Sequence, residues 1–280
     1  MSKTLLYVCS VLLIFLAPVW VFLISPELLK LPSNFTSKSN MVHMENNRFE
    51  IDSNWSGRTI AISSSSINTV SSNFKQSDLI TQFRVESLTG EILFELNQNF
   101  TIDRKTRVNI EGQSDEQGNA SILFPPNPTK KDIFFWPIEM GAPTTLVFTG
   151  IEKINDLTVY HYQTKNAVIN DTAGFVDLPL VPEKYKALSR VNIDVYVEPK
   201  TGTIINHEDS GVSYYANDNN EVVWDMDQWS NKYNEPTIAD RVKEARSKIN
   251  KFLVIEWVIP IVFVVSGITL FATGLLKKRK

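Results

Sequence analysis

The sequence predicts a mainly β protein, in which an antiparallel, barrel- or sandwich-like extracytoplasmic β domain lies between an N-terminal and a C-terminal transmembrane helix. Three observations lead to this prediction. Uncharged apolar runs occupy residues 4–25 and 257–276. Between about residues 47 and 230, apolar and polar residues alternate in short stretches that turn residues separate. No repeating strand–helix pattern interrupts this region, so we expect an antiparallel sheet.

Each apolar run is long enough to cross a membrane. The first has 22 residues and the second has 20, and 22 helical residues span about 33 Å at about 1.5 Å per residue. A cleaved signal peptide is the alternative for the first run. That run is longer than a typical signal and ends without a small-x-small cleavage site, so we predict an uncleaved anchor.

The charges beside the second run predict the orientation of the chain. Residues 277–280 are all basic, and basic residues next to a span are typical of the cytoplasmic side. With two spans, both termini are then cytoplasmic and the region between the spans lies outside the plasma membrane. Trp20 and Trp257 fall at the outer ends of their spans, where indole rings act as interfacial anchors.

The composition of the region between the spans limits its partners. It contains all 31 acidic residues and all but five of the 28 basic ones, which gives it a net charge of −8. This balance argues against a nucleic-acid-binding surface. Cys9 is the one cysteine and lies in the first span, so we expect no intramolecular disulfide. Candidate glycosylation sequons occur at Asn34, Asn54, Asn99, Asn119 and Asn170.

Turn residues place the hairpins and loops of the β domain. Hairpins are predicted at Thr89-Gly90, at Asn155-Asp156 and between residues 217 and 220. The prolines in residues 124–131 predict a loop. Residues 63–73 are rich in serine and fit either an edge strand or a loop.

The stretch VYVEPKTGTIINHED, residues 195–209, gathers acidic, basic and histidine side chains and raises the question of an active site. Alternation of apolar and polar residues through 191–198 predicts a strand with one buried face. Pro199 and Gly202 are placed for a tight turn. His207, Glu208 and Asp209 are successive residues of the return strand, so they do not all point toward one ligand. We therefore predict a polar β-hairpin rather than a catalytic site.

A helix is predicted between the β domain and the second span. Apolar residues recur at three- and four-residue spacing, and Thr237 is placed to cap the first turn. We expect this helix to pack on the β domain or the first helix and to continue into the second span. The predicted segments are a cytoplasmic N-terminus (1–3), a transmembrane helix (4–25), the β domain (26–235), a membrane-proximal helix (236–256), a second transmembrane helix (257–276) and a basic cytoplasmic tail (277–280).

Two side-chain clusters are candidate binding sites. Phe134, Phe135 and Trp136 form either the wall of an apolar cavity for a lipid-like ligand or an ordinary part of the core. Asp225 and Asp227 are two residues apart on a predicted strand. They are weak candidates for a Ca²⁺ site, and a solvated strand face is the alternative.

The sequence lacks the signatures of common enzymes. The histidines at 43, 161 and 207 are scattered without the spacing of zinc ligands. The G-x-S-x-G, P-loop and Rossmann motifs are absent. We therefore expect a protein without enzymatic activity, metal or cofactor.

Two stretches resemble a known family. FFWPIEMGAPTTLVFTGIEKINDLTVYHYQ (residues 134–163) and VYVEPKTGTIINHED are similar to the prokaryotic PorA-like family, also described as porin PorA. The matching positions are Gly150, Glu152, Leu157, Tyr160, Tyr162, Val195, Val197, Glu198, Pro199, Thr201 and Gly202. The resemblance implies an apolar anchor at each end of the chain. It assigns no catalytic residues, and we expect structural roles for the matching positions.

The layout also resembles that of the class B scavenger receptors, whose β-barrel ectodomain conducts lipids toward the membrane. We favour a β domain that binds or transfers a hydrophobic ligand, with membrane lipids as partners. A structural or interaction protein with an envelope partner is one alternative, and a pore is the other. Neither span shows an internal polar stripe, and the β region does not alternate toward lipid, so a pore would require oligomerised helices.

Overall fold

The computed structural model describes residues 2–48, 50–113, 118–170 and 185–277 and consists of two compact units. One unit is Pro32–Ala245, and the other combines the first 31 residues with those from Arg246 onward. The last three residues of the predicted basic tail lie outside the described residues.

In the described part of the unit Pro32–Ala245, ten antiparallel strands form one sheet, which confirms the predicted mainly β, antiparallel fold. Every neighbouring pair in the sheet is antiparallel, and the spatial order is β4-β3-β2-β1-β10-β9-β8-β7-β6-β5. The strands are β1 Thr36–Asn47, β2 Thr59–Ser72, β3 Gln76–Ser87, β4 Ile92–Asp103, β5 Ile133–Phe135, β6 Thr144–Ile154, β7 Leu157–Asn170, β8 Lys186–Glu198, β9 Thr203–Ala216 and β10 Val222–Tyr233.

Irregular backbone connects the two outer strands of this sheet. Isolated bridges pair Ile102 of β4 with Asn109, Val108 with Ser121, and Ser121 with Phe135 of β5. Backbone hydrogen bonds support these bridges, including Ser121 N to the carbonyl of Phe134 at 2.9 Å. The curled sheet is therefore closed into a barrel-like ring, which leaves fewer unpaired backbone groups at its edges.

The predicted hairpins are present. Gly90, Asn155 and Asp156 have positive φ angles of 87°, 48° and 63°, as tight turns between antiparallel strands require. The prediction for residues 63–73 is wrong, because they belong mainly to β2, an inner strand paired with both β1 and β3. Ser63 faces the interior and donates to Asn231 Oδ1 at 2.9 Å. The serine-rich sequence therefore supplies a polar interior rather than a loop.

Alternating side chains of the strands build the core. Val191, Ile193, Val195 and Val197 of β8 are fully buried and pack with Phe124, Phe135 and Tyr162, which confirms the predicted strand with one buried face. A second cluster contains Met41, Phe83, Val159 and Ile205 from four strands of the ring. Burial of such side chains contributes roughly 1.5–3 kcal/mol each.

The helix after β10 packs on the β unit as predicted. Helix α3 is Glu235–Leu253, and Ile238, Val242 and Ala245 join the cluster around Met41. The first turn is capped by Asn234, whose Oδ1 accepts from Thr237 N at 2.9 Å. The predicted cap, Thr237, instead donates its hydroxyl to the carbonyl of Asn40 at 2.9 Å.

Two apolar helical segments make up the other unit. The first contains α1 Lys3–Val19, a π-helical turn Trp20–Ile24 and α2 Ser25–Leu28. The second continues from α3 through a π-helical turn Val254–Val258 into α4 Ile259–Leu276, so one helix runs from Glu235 to Leu276 as predicted. Both are long and apolar enough to cross a membrane.

Candidate functional site

The two apolar helices pack at glycines of α4. A Cβ added at Gly267 would lie 2.7 Å from Ile14 Cγ1 and 3.0 Å from the carbonyl oxygen of Ser10. A Cβ added at Gly274 would lie 2.8 Å from Cε1 of Tyr7. Glycines therefore let the helix backbones approach closely, as is common between membrane helices.

A π-helical turn ends two residues before a proline in both segments. Trp20–Ile24 precedes Pro26, and Val254–Val258 precedes Pro260. Proline has no N–H and displaces the carbonyl of the preceding turn, which accounts for a locally widened helix. Trp20 Nε1 donates to the carbonyl of Ile255 in the opposite π-helical turn at 2.7 Å. Trp257, the other predicted interfacial anchor, has an exposed side chain.

Hydroxyl side chains lie along a second face of α4. Ser266, Thr269 and Thr273 recur at three- and four-residue spacing, on a face about 120° from the glycines that contact α1. Thr269 and Thr273 are exposed, and each donates to the carbonyl four residues earlier at 2.8 Å. The apolar surface of α4 is therefore interrupted by a short row of hydroxyls, and the two threonine hydroxyls bond within their own helix.

The aromatic cluster at residues 134–136 divides between surface and core. Phe134 is 43% exposed, whereas Phe135 and Trp136 are buried. Phe135 packs on Phe124 with ring centroids 5.0 Å apart, and Trp136 packs edge-on against Phe100 at 5.4 Å. Phe135 and Trp136 thus contribute to the packing of the β unit.

The hairpin that carries part of the family resemblance is held by its own side chains. The Glu198 carboxylate accepts from the backbone N–H groups of Lys200 and Thr201, both at 2.8 Å, and from the Thr201 hydroxyl at 2.6 Å. Pro199 O accepts from Asn127 N at 3.0 Å. Gly202 has φ 71°, and a Cβ there would lie 2.2 Å from the carbonyl oxygen of Phe124. The hairpin tip therefore clamps the proline-rich loop.

The other family positions lie on β6 and β7. Gly150 stands at a register shift between these strands, and a Cβ there would meet open space. Tyr162 is fully buried and donates its hydroxyl to the carbonyl of Thr129 at 2.7 Å. Tyr160 packs edge-on against Phe148 with centroids 5.5 Å apart. Glu152 Oε1 lies 3.0 Å from Nδ1 of His161.

The two candidate Ca²⁺ ligands have different surroundings. A register shift separates Asp225 from Asp227 in the pairing of β10 with β9. Burial, together with the nearby Glu45 carboxylate, raises the pKa of Asp227 to about 7. Among the described residues, the one group of three metal-ligating side chains with atoms within 4.8 Å of one another contains neither aspartate.

The asparagines of the five sequons are accessible. Asn34, Asn54, Asn99, Asn119 and Asn170 are all exposed, with Asn99 on β4 and Asn170 at the end of β7.

A histidine and two carboxylates meet inside the β unit. His207 Nε2 lies 2.5 Å from Glu139 Oε1 and 3.2 Å from Asp209 Oδ2, and the three side chains are between 0% and 6% exposed. His207 and Asp209 point to the same side of β9, because alternate strand residues share a face. Glu208, between them, faces the other way and pairs with Lys232 at 2.9 Å. Glu139 comes from the loop between β5 and β6.

A polar network surrounds this trio. Asp209 Oδ1 accepts from Asn231 Nδ2 at 2.9 Å and from Trp229 Nε1 at 3.1 Å. Asn231 Oδ1 is 2.9 Å from His43 Nδ1, whose Nε2 lies 3.5 Å from Glu45 Oε2. Buried carboxylates need such donors, since an unpaired charge in the interior is costly. The network therefore fixes the orientation of Asp209.

The three side chains shift one another's pKa values. Burial opposes a charged imidazole, but the neighbouring Glu139 carboxylate and hydrogen bonds to Asp209 and Glu139 raise the pKa of His207 well above 6.5. Burial opposes ionisation of Glu139, yet His207 lowers the pKa of that carboxyl. Burial raises the pKa of Asp209, and repulsion from Glu139 adds to this effect. A cation at this point stabilises the two carboxylates.

Sequence reasoning did not find this trio. Three successive strand residues cannot all point to one site, as predicted. Two alternate residues can, however, and His207 and Asp209 lie on the same face of β9 while Glu208 lies on the other. The contribution of Glu139 depends on a contact between segments distant in the sequence. A usable signal was available, because Glu139 and His207 each belong to one of the two stretches that carry the family resemblance.

Comparison with known families assigns the chain. The family model described as porin PorA matches residues 3–276, which include both apolar helices and the β unit. The chain belongs to the porin PorA family. No curated protein sequence matches it. Membership in this family, together with the two apolar helices, identifies a membrane protein.

Proposed function

We propose that this PorA-family chain is a non-enzymatic, pore-forming membrane protein whose conduit lies between the transmembrane helix pairs of several copies. Membership in a family described as porins is the observation that carries the proposal. Helices rather than strands are the spanning elements, since Asp78, Arg84 and Glu86 of β3 are partly or fully exposed. Charges on the outer face of a sheet do not suit a hydrocarbon environment.

Large side chains occupy the interior of the β unit, which favours a conduit between the helices over one through the β unit. Tyr162, Tyr215 and Phe100 are among the large side chains that are fully buried there. The alternative function in which Phe134, Phe135 and Trp136 bind a lipid has less support, because two of these three side chains pack in the core.

The helix pair has surface available for assembly. Leu12, Phe15, Phe22, Ile268 and Leu276 are between 56% and 84% exposed, so one pair buries only a small part of its apolar surface. Ser266, Thr269 and Thr273 lie on a face that α1 does not cover. Thr269 and Thr273 donate to carbonyls of their own helix, and their hydroxyl oxygens can still accept from another helix or from water in a conduit. We assign this face to the conduit.

Conductance of the purified full-length chain in planar bilayers tests this function. We expect discrete current steps from the wild-type protein. Thr269→Val combined with Thr273→Val should change the size of each step, because it removes two hydroxyls from the proposed conduit. Ile268→Leu, an exchange on another face of α4, is the matched control and should conduct like wild type. Folded, monodisperse protein that gives no current above the lipid background would refute the proposal.

The proposed orientation places both termini in the cytoplasm and the β unit outside. The support is the run of basic residues from Lys277 to the C-terminus. Labelling of introduced cysteines in a Cys9→Ser background tests it. A membrane-impermeant maleimide should label Asn219→Cys, in the exposed turn between β9 and β10, in intact cells. Lys277→Cys should react only after permeabilisation, and the reverse result would invert the topology.

A further inference from the structure

We infer that Glu139, His207 and Asp209 form a binding site for one divalent transition-metal ion, most suitably Zn²⁺, inside the β unit. The ligand atoms would be Glu139 Oε1, His207 Nε2 and Asp209 Oδ2, which all lie within 4.8 Å of one another. Nitrogen and carboxylate oxygen are both normal ligands of zinc. This inference does not depend on whether the protein forms a pore.

The arrangement of donors and acceptors is the main reason for the inference. Both carboxylate oxygens approach the same nitrogen, His207 Nε2, at 2.5 Å and 3.2 Å. One N–H can be directed at only one of them, and it aligns with Asp209 Oδ2, so the buried Glu139 Oε1 lies beside the same nitrogen at ion-pair distance without an aligned hydrogen bond of its own. Buried polar atoms of this kind are uncommon in native proteins. A metal ion would satisfy the nitrogen and both oxygens at once.

A second histidine in the same unit shows how an imidazole between two carboxylates can pair with both through hydrogen bonds alone. His161 also lies between two carboxylates, but it uses a different nitrogen for each. Its Nδ1 is 3.0 Å from Glu152 Oε1, and its Nε2 is 2.6 Å from Asp194 Oδ1. A protonated imidazole can donate one hydrogen bond to each carboxylate there. The approach of two carboxylates to a single nitrogen at His207 is therefore not repeated at His161.

Small movements would convert the trio into a metal site. Ligand bonds of about 2.0–2.2 Å in octahedral or tetrahedral geometry separate neighbouring ligand atoms by about 2.8–3.6 Å. The distance from Asp209 Oδ2 to His207 Nε2 already has this value, at 3.2 Å. The distance from Glu139 Oε1 is 2.5 Å, so this side chain would retreat by less than about 1 Å to admit the ion.

The surroundings of the trio also match those of metal ligands. Asp209 uses its other oxygen to accept from Asn231 and Trp229, which leaves Oδ2 directed at His207. Outer hydrogen bonds of this type orient ligating carboxylates in metalloproteins. Two carboxylates and a neutral imidazole carry a charge of −2, which a divalent ion neutralises. Ca²⁺ is a poorer match, since it takes six to eight oxygen ligands.

Metal analysis of the full-length chain tests the inference. The protein is produced in medium supplemented with Zn²⁺, purified in detergent and analysed by mass spectrometry of its metals. We expect about one zinc ion per chain in the wild type, because the buried site would retain its ion through purification. Glu139→Gln and Asp209→Asn should lose most of the zinc. His161→Gln is the matched control and should retain it.

A spectroscopic measurement on the wild type covers the case in which a variant fails to fold. Protein produced with Co²⁺ in place of Zn²⁺ should show visible absorption of ligand-bound cobalt. If the protein is unfolded in the presence of a chelator and then refolded, this absorption should not return. Folded wild-type protein that carries neither zinc nor cobalt would overturn the inference. Zinc retained equally by Glu139→Gln, Asp209→Asn and wild type would overturn it as well.

Discussion

Glu139 Oε1 lies 2.5 Å from His207 Nε2, and each side chain is only 6% exposed. This contact joins the loop between β5 and β6 to the interior face of β9. The same strand presents Glu208 to the opposite side, where it pairs with Lys232 at the surface. Neighbouring residues of one strand therefore have ion pairs with very different surroundings.

Removing Glu139 should destabilise the protein much more than removing Glu208. We expect Glu139→Ala to lower the free energy of unfolding by about 3–5 kcal/mol, since it takes from a buried histidine the nearer of its two carboxylate partners. Glu208→Ala, which breaks a surface pair, should cost at most about 1 kcal/mol. Denaturant unfolding of the full-length chain with chelator present measures both. Equal losses of stability would contradict the difference in burial between the Glu139–His207 and Glu208–Lys232 pairs.

Gly202 should be intolerant of a side chain. Its φ of 71° and the 2.2 Å approach of the Phe124 carbonyl to an added Cβ leave no room for alanine. We expect Gly202→Ala to lower stability by about 2–4 kcal/mol, as strain and displacement of the proline-rich loop add together. Gly150→Ala is the control, because an added Cβ there meets open space. Similar midpoints of thermal unfolding for the two variants would rule out the proposed clamp.

Local patterns were sufficient to predict much of the β unit. The alternation through residues 191–198 predicted the buried face of β8. Asn155-Asp156 predicted the turn between β6 and β7, because both residues tolerate positive φ. These signals are local, since period and turn chemistry depend on neighbours in sequence. The serine-rich β2 was misread because a polar stretch resembles a loop unless its partner, here Asn231, is known.

The candidate sites depend on contacts that no local pattern contains. Glu139 and His207 approach each other only because β6, β7 and β8 lie between β5 and β9 in a curled sheet. Likewise, Trp20 finds the carbonyl of Ile255 only because the first and last helices pack together. Sequence periodicity identifies which face of an element is buried, but it does not identify which distant side chain lies opposite.

Asp227 should make stability depend on pH. Its pKa is about 7 in the folded protein and 3.8 in the unfolded chain, mainly because burial disfavours its charged form beside Glu45, while His43 partly offsets this effect. The folded state then binds more protons, so the free energy of unfolding falls as pH rises from 3.8 to about 7.

Asp227→Asn should remove this penalty. We expect the variant to be more stable than wild type at pH 8 by up to roughly 4 kcal/mol, because each pKa unit corresponds to about 1.4 kcal/mol. Near pH 3.5, where the carboxyl is largely protonated in both states, the two proteins should unfold alike. Denaturant titrations at the two pH values provide the measurement. A difference that stays constant with pH would show that burial of Asp227 does not control its ionisation.

Close packing of α1 on α4 should depend on Gly267. An alanine Cβ there would lie 2.7 Å from Ile14 Cγ1, so Gly267→Ala should push the helices apart and cost about 1–3 kcal/mol. Ile14→Ala in the same chain should recover part of the loss, because it removes the atom in conflict. Ala272→Leu, on an exposed face of α4, is the control and should leave stability near that of wild type. Thermal unfolding in detergent compares the four proteins, and a loss that Ile14→Ala does not relieve would place the strain at the Ser10 carbonyl instead.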